Sequence, residues 1–100
     1  MKYFTTTLLL IFALYLPQYS YADGCSLAKT LYDSGKYKRA FNLAKTYANY
    51  NNACAEFYLG LMYLHGEGVK ADSKQGIKYI KSAAKKGYQP AIDLLKNRLP

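Results

Sequence analysis

Residues 55–91 read AEFYLGLMYLHGEGVKADSKQGIKYIKSAAKKGYQPA, and the rest of the chain is arranged around them. Ala55, Phe57, Leu59, Met62 and Tyr63 place apolar side chains at helical spacing, so one stripe of this segment needs a second helix to cover it. Gly66-Glu67-Gly68 interrupts the pattern with two glycines around one residue, which suits a turn that needs positive φ. Val69 is positioned to plug the gap below that turn. Asp72 is placed to cap the next helix, and Gln75 three residues on completes a capping-box pattern. From Ser73 the period resumes, with Ile77, Ile80 and Ala84 on one side and Lys74, Lys78, Lys81 and Lys85 on another. Lys85-Lys86-Gly87 supplies cations and a glycine at the helix end. Pro90 suits the first turn of a further helix. Ala55 and Leu59 recur as Ala91 and Leu95, each 36 positions later, a period at which helical hairpins stack.

This arrangement resembles the Sel1-like repeat, a relative of the tetratricopeptide repeat. The residues that carry the likeness are Ala55, Leu59, Gly60, Tyr63, Gly66, Gly68, Val69, Asp72, Lys74, Tyr79, Ala83, Ala84, Gly87 and Ala91. Two positions depart from the family pattern. Gly76 stands where alanine is preferred, which keeps the helices close and weakens the second one by about 1 kcal/mol. Tyr79 replaces an aromatic that is often tryptophan. The resemblance implies an all-α fold, a short α/α solenoid of about two and a half helix-turn-helix repeats that acts as an interaction platform rather than performing a particular reaction.

Outward from this centre, the N-terminal residues read as a leader. Lys2 gives a positive n-region, Leu8 to Leu16 an apolar h-region, and Ser20-Tyr21-Ala22 a small-x-small cleavage site. The apolar run is shorter than the roughly 18 to 20 residues a membrane span needs. Lipidation at Cys25 is the competing reading, but Asp23 occupies a position that wants a small or apolar residue. The expected division is a signal peptide over 1–22 and a repeat domain over 23–100, with the product periplasmic or secreted.

A domain of that size has a thin core, and repeats need about three units to bury one another, so a staple is useful. The chain has two cysteines, Cys25 and Cys54, both beyond the cleavage site and both bound for an oxidising compartment. In a solenoid the first and third helices run parallel with neighbouring starts, so the two cysteines are expected to be joined. Ser26 to Ser34 and Tyr37 to Asn49 form a shorter hairpin around Gly35, a degenerate first repeat without the long glycine turn. Leu27, Ala28, Leu31 and Tyr32 make one apolar face; Ala40, Phe41, Leu43, Ala44 and Tyr47 make the other. Asn51-Asn52 caps the third helix, and Ala91 to Leu99 gives a closing one. Five helices are expected after the leader.

Without Lys2 there are 13 Lys and Arg against 6 Asp and Glu. Outside the cytoplasm this balance points to acidic protein surfaces or anionic polymers and lipids rather than nucleic acid. The lysine stripe, spaced 4, 3 and 4, runs down one helix face, and its bland reading is a solvated outer surface. Twelve tyrosines suit either interfaces or a core too thin to cover its side chains. On the third helix Glu56, Tyr58, Leu61 and His65 fall outside the repeat register, on the side that is concave in solenoids, and are the expected partner-binding positions.

Ser26-Leu-Ala-Lys29 and Ser82-Ala-Ala-Lys85 fit S-x-x-K, but S-D-N and K-T-G do not accompany them. His65 has no Cys or carboxylate cluster at ligand spacing. The sequence therefore predicts no catalytic residue, cofactor or metal. Its first reading is a module that binds another protein with an acidic surface, as an adaptor, host-interaction or immunity-type protein. The alternatives are a small envelope enzyme or β-lactam-binding protein, and a binder of anionic lipid or polysaccharide through the lysine stripe. The membrane enters the first reading only through the cleaved leader.

Overall fold

The structure, a computed structural model, describes residues 24–98; the leader expected over 1–22 lies outside the described residues. Five helices follow in order among these residues: α1 (Gly24–Asp33), α2 (Tyr37–Ala48), α3 (Ala53–His65), α4 (Ser73–Lys85) and α5 (Gln89–Asn97). Each packs against the next, and α1 also packs against α3. The fold is the all-α helical solenoid expected from the repeat period: two hairpins and a closing helix.

Local chemistry explains where each helix stops. The ends of α1, α2 and α4 close with the same pair of backbone bonds: Gly35 N–H to Tyr32 and Lys36 N–H to Leu31, Asn51 to Ala48 and Asn52 to Tyr47, Gly87 to Ala84 and Tyr88 to Ala83. This pairing needs a left-handed residue at the centre. Glycine supplies it twice, and Asn51 at φ 62° takes its place after α2. The starts are capped by side chains: Asn52 Oδ1 accepts from Ala55 N–H at 2.9 Å and Asp72 Oδ1 from Gln75 N–H at 3.1 Å. The reciprocal arm expected of Gln75 has no role, because the Asp72 N–H donates to the Tyr63 carbonyl at 2.8 Å. That bond folds the long turn back onto α3.

The core divides into two clusters that share α3. Cys25, Ala28, Leu31, Ala40, Ala44, Tyr58, Leu59 and Met62 fill the first, with Val69 packed against it as expected. Ile80, Ala83 and Ala91 fill the second, with Phe57, Leu61 and Leu64 of α3 beside them. Consequently α3 is apolar almost all round, as a helix covered on most sides must be. Leu27, placed by pattern in the first core, is 55% exposed. It sits on the end face of the hairpin, in a shallow depression with Leu31 and Leu43.

Closeness between helices comes from missing side chains. An added Cβ on Gly60 would lie 2.9 Å from the Gly76 carbonyl oxygen, and one on Gly76 would lie 2.8 Å from the Gly60 carbonyl oxygen. Backbone therefore meets backbone where α3 crosses α4. Gly68 does the same for the turn, since a Cβ there would fall 2.5 Å from the Tyr37 carbonyl oxygen. The glycine turn thus rests directly on the start of α2.

Candidate interaction surfaces

The four expected positions on α3 do not share one open face. Glu56 is only 3% exposed, and its carboxylate receives the Lys86 ammonium. The pair ties the first turn of α3 to the end of α4, a carboxylate near a helix N-terminus meeting a cation near a C-terminus. Tyr58 is 8% exposed, its ring 5.6 Å from Tyr32 and 5.3 Å from Phe57. Burial, then the neighbouring Tyr88, pushes its hydroxyl above the ordinary tyrosine range. Both residues are interior, because α3 buries a wider arc than a helix at the edge of a solenoid does.

His65 is exposed, with Nδ1 3.2 Å from Glu67 Oε1. That same carboxylate oxygen accepts the Tyr32 hydroxyl at 2.7 Å. Burial and then this bond push the Tyr32 hydroxyl far above its usual range, and interaction with Glu67 also raises Tyr37. Glu67 therefore clamps the glycine turn to the first hairpin. The sequence reading treated it as a spacer between two glycines. Nothing in its spacing marks it, since its partner Tyr32 is 35 positions away.

Leu61 alone opens onto a groove. With Phe57 it forms one wall; Pro90 and Leu94 of α5 form the other, and Asp93, Asn97 and Arg98 rim it, enclosing about 230 Å³. This falls short of the 300 Å³ or so of a typical small-molecule site and fits one or two inserted side chains. The α5 contribution was missed because Phe57 read as core and Leu94 was not singled out, and both are half-buried. A signal was available in Pro90, Leu94 and Asn97, which recur at helical spacing.

Cys25 and Cys54 are joined, with Cα atoms 5.9 Å apart. The bond links the starts of α1 and α3, as a parallel pair of first helices requires. The Tyr88 hydroxyl donates to Cys54 Sγ at 3.3 Å, adding α5 to the same junction. Such a crosslink persists in oxidising compartments, and no described helix is long and apolar enough to cross a membrane.

Lys74, Lys78, Lys81 and Lys85 are all exposed, so the stripe is a continuous surface. Of the two S-x-x-K pairs, Lys29 is bound to Asp33 at 2.8 Å. Hydrogen bonding to that carboxylate raises its pKa, which opposes the work of a general base. Ser82 and Lys85 lie on the outer helix, with Lys85 open to water.

No curated protein and no solved structure matches the chain. The family model described as the Sel1 repeat matches residues 55–88. Its span covers α3 from its first turn, the glycine turn and the whole of α4. A shorter hairpin precedes that unit and a single helix follows it. The centre of this chain is therefore similar to a Sel1 repeat, a helical unit that suggests a protein–protein interaction module.

Proposed function

We propose that this protein is a secreted or periplasmic interaction module that seats side chains of a partner protein in the groove between α3 and α5. The observation that carries this reading is the groove itself, with an apolar floor of Phe57, Leu61 and Leu94 and a charged rim on a Sel1 repeat. Apolar anchors in a small, well-fitted pocket with polar edges are the usual centre of an interface. The Cys25–Cys54 bond supports an oxidising location. The basic balance of the chain favours a partner with an acidic surface, mainly through the rate of encounter. An adaptor, a host-interaction factor and an immunity-type protein all fit this description. The catalytic alternative is weakened by Lys29, whose ammonium is held by Asp33.

Site-specific photocrosslinking tests the groove. A photoreactive residue at exposed Asn97 should crosslink one partner, and the same residue at Lys70, on the glycine turn, should not. Asp at Leu61 should abolish the crosslink while far-UV circular dichroism stays unchanged. Equal crosslinking from both positions, or a crosslink indifferent to Leu61→Asp in a folded protein, would refute the assignment.

A further inference from the structure

The charges of this domain are sorted by helix. Asp33 lies on α1, Glu56 on α3 and Asp93 on α5, while α2 and α4 carry no acidic residue. Among the described residues the carboxylates are engaged locally: Glu56 with Lys86, Glu67 with Tyr32 and His65, Asp33 with Lys29, Asp72 with its helix cap, Asp93 with Gln89. None of these five pairs with a lysine of the outer side.

On α4 the lysines oppose the core squarely. At about 100° per residue, Lys74, Lys78, Lys81 and Lys85 fall within roughly 60° of arc, on the side away from buried Gly76, Ile80 and Ala83. Lys38 and Lys45 lie likewise on the side of α2 away from buried Ala40 and Ala44. All six are exposed, and none is in an ion pair among the described residues. Lys45 Nζ lies 6.0 Å from the Phe41 ring centre.

We infer that the exposed lysine face of α4 docks on an anionic phospholipid bilayer. Three features favour a lipid surface over an acidic protein. The cations of the stripe are all lysine, a hydrated point charge that attracts phosphate without fixed geometry, and lysine is depleted in protein interfaces. Four to eight basic residues on one amphipathic helix is the pattern that binds anionic headgroups. Finally, the apolar side of α4 is already used in the core, so attachment is electrostatic and peripheral, without insertion. The inference is independent of the α3–α5 groove, which would remain open to a partner on a domain held at the membrane.

Vesicle co-sedimentation of the full chain tests this, using phosphatidylcholine alone or with about 30% phosphatidylglycerol. The comparison is between the wild type and K74Q/K78Q/K81Q/K85Q, which keeps good helix formers at all four positions. Both carry the same N-terminal stretch, whose own contribution is read on the neutral vesicles. Each lysine near an anionic surface contributes roughly fivefold, so the variant should lose about 100-fold or more in partition to the anionic vesicles. The wild type should lose most of its binding between roughly 50 and 300 mM salt. Arginine at the four positions should restore it. Equal partition of wild type and glutamine variant, with circular dichroism confirming both folded, overturns the inference. So does preferential binding of soluble poly-glutamate with anionic vesicles ignored, which would assign the face to an acidic polypeptide.

Discussion

Alanine is the better helix former at position 76 by about 1 kcal/mol, and the Sel1-like pattern prefers it there. The structure nevertheless predicts that Gly76→Ala destabilises this protein. The new Cβ would lie 2.7 Å from Leu64 Cγ and 2.8 Å from the Gly60 carbonyl oxygen. Leu64 can change rotamer; the carbonyl belongs to the α3 backbone and cannot. Restoring an ordinary contact of about 3.5 Å requires the helices to part by roughly 0.7 Å. A gap of that size forfeits a quarter to a half of the dispersion well along the lining, and overpacking of this kind costs about 1–3 kcal/mol. Set against the propensity gain, the net loss is about 1 kcal/mol, with 2 as the upper end.

Urea denaturation followed at 222 nm, with the disulfide intact, measures the change. Gly60→Ala should lose at least as much, since its Cβ would lie 2.6 Å from Ile80 Cγ1 as well as 2.9 Å from the Gly76 oxygen. The double variant carries the sharper test. Both methyl groups enter one gap, so the separation is incurred once while propensity is gained twice. The double loss should fall short of the sum of the single losses by the separation cost itself, about 2 kcal/mol, well outside the scatter of independent sites. A Gly76→Ala protein more stable than wild type would refute the close-approach argument outright.

Reduction of the Cys25–Cys54 bond should cost about 3–4 kcal/mol on the chain-entropy account of a loop this long. The thermal midpoint should then fall by roughly 15 °C or more, and a change under about 4 °C in dithiothreitol would contradict it. Stability should also decline at alkaline pH. The Tyr32, Tyr37, Tyr58 and Tyr63 hydroxyls are all raised in the fold, so the folded state retains protons that the unfolded chain gives up above about pH 10. Their contribution is complete below that value and is lost as pH climbs through the higher folded values. Tyr32→Phe should flatten that decline and cost about 1–2 kcal/mol at neutral pH through the lost bond to Glu67; an unchanged alkaline profile would remove Tyr32 from the account.

Elements governed by local chemistry were legible in the sequence. Caps at Asn52 and Asp72, the glycine ends and the helical periods are set by residues within a turn of one another. Recognition of the repeat also placed the starts of α1 and α3 side by side and so paired the cysteines. The candidate site was legible only in Leu61. Glu56 and Tyr58 appeared free because they lie outside the repeat register, yet their burial depends on Lys86, which is 30 positions from Glu56, and on Tyr32 of the first hairpin. Periodicity reports which side of one helix is apolar. It does not report how many neighbours a helix acquires, and α3 packs against α1, α2 and α4.

Those long-range contacts explain how so few repeats hold together. A solenoid stabilises each unit through its neighbours, and this one has a short hairpin on one side of its full repeat and a lone helix on the other. Three contacts join these units beyond the packing of adjacent helices. The disulfide fixes α1 to α3, Glu67 fixes the glycine turn to α1 through Tyr32, and Glu56 with Lys86 fixes the start of α3 to the end of α4. All three draw on residues of the full repeat or its junctions, and two of them consume its carboxylates. The outer sides of α2 and α4 are left with cations and no anions. Glu56 and Glu67 are thus committed to joining the repeat to its neighbours, which is one reason they do not balance the lysines of the outer sides.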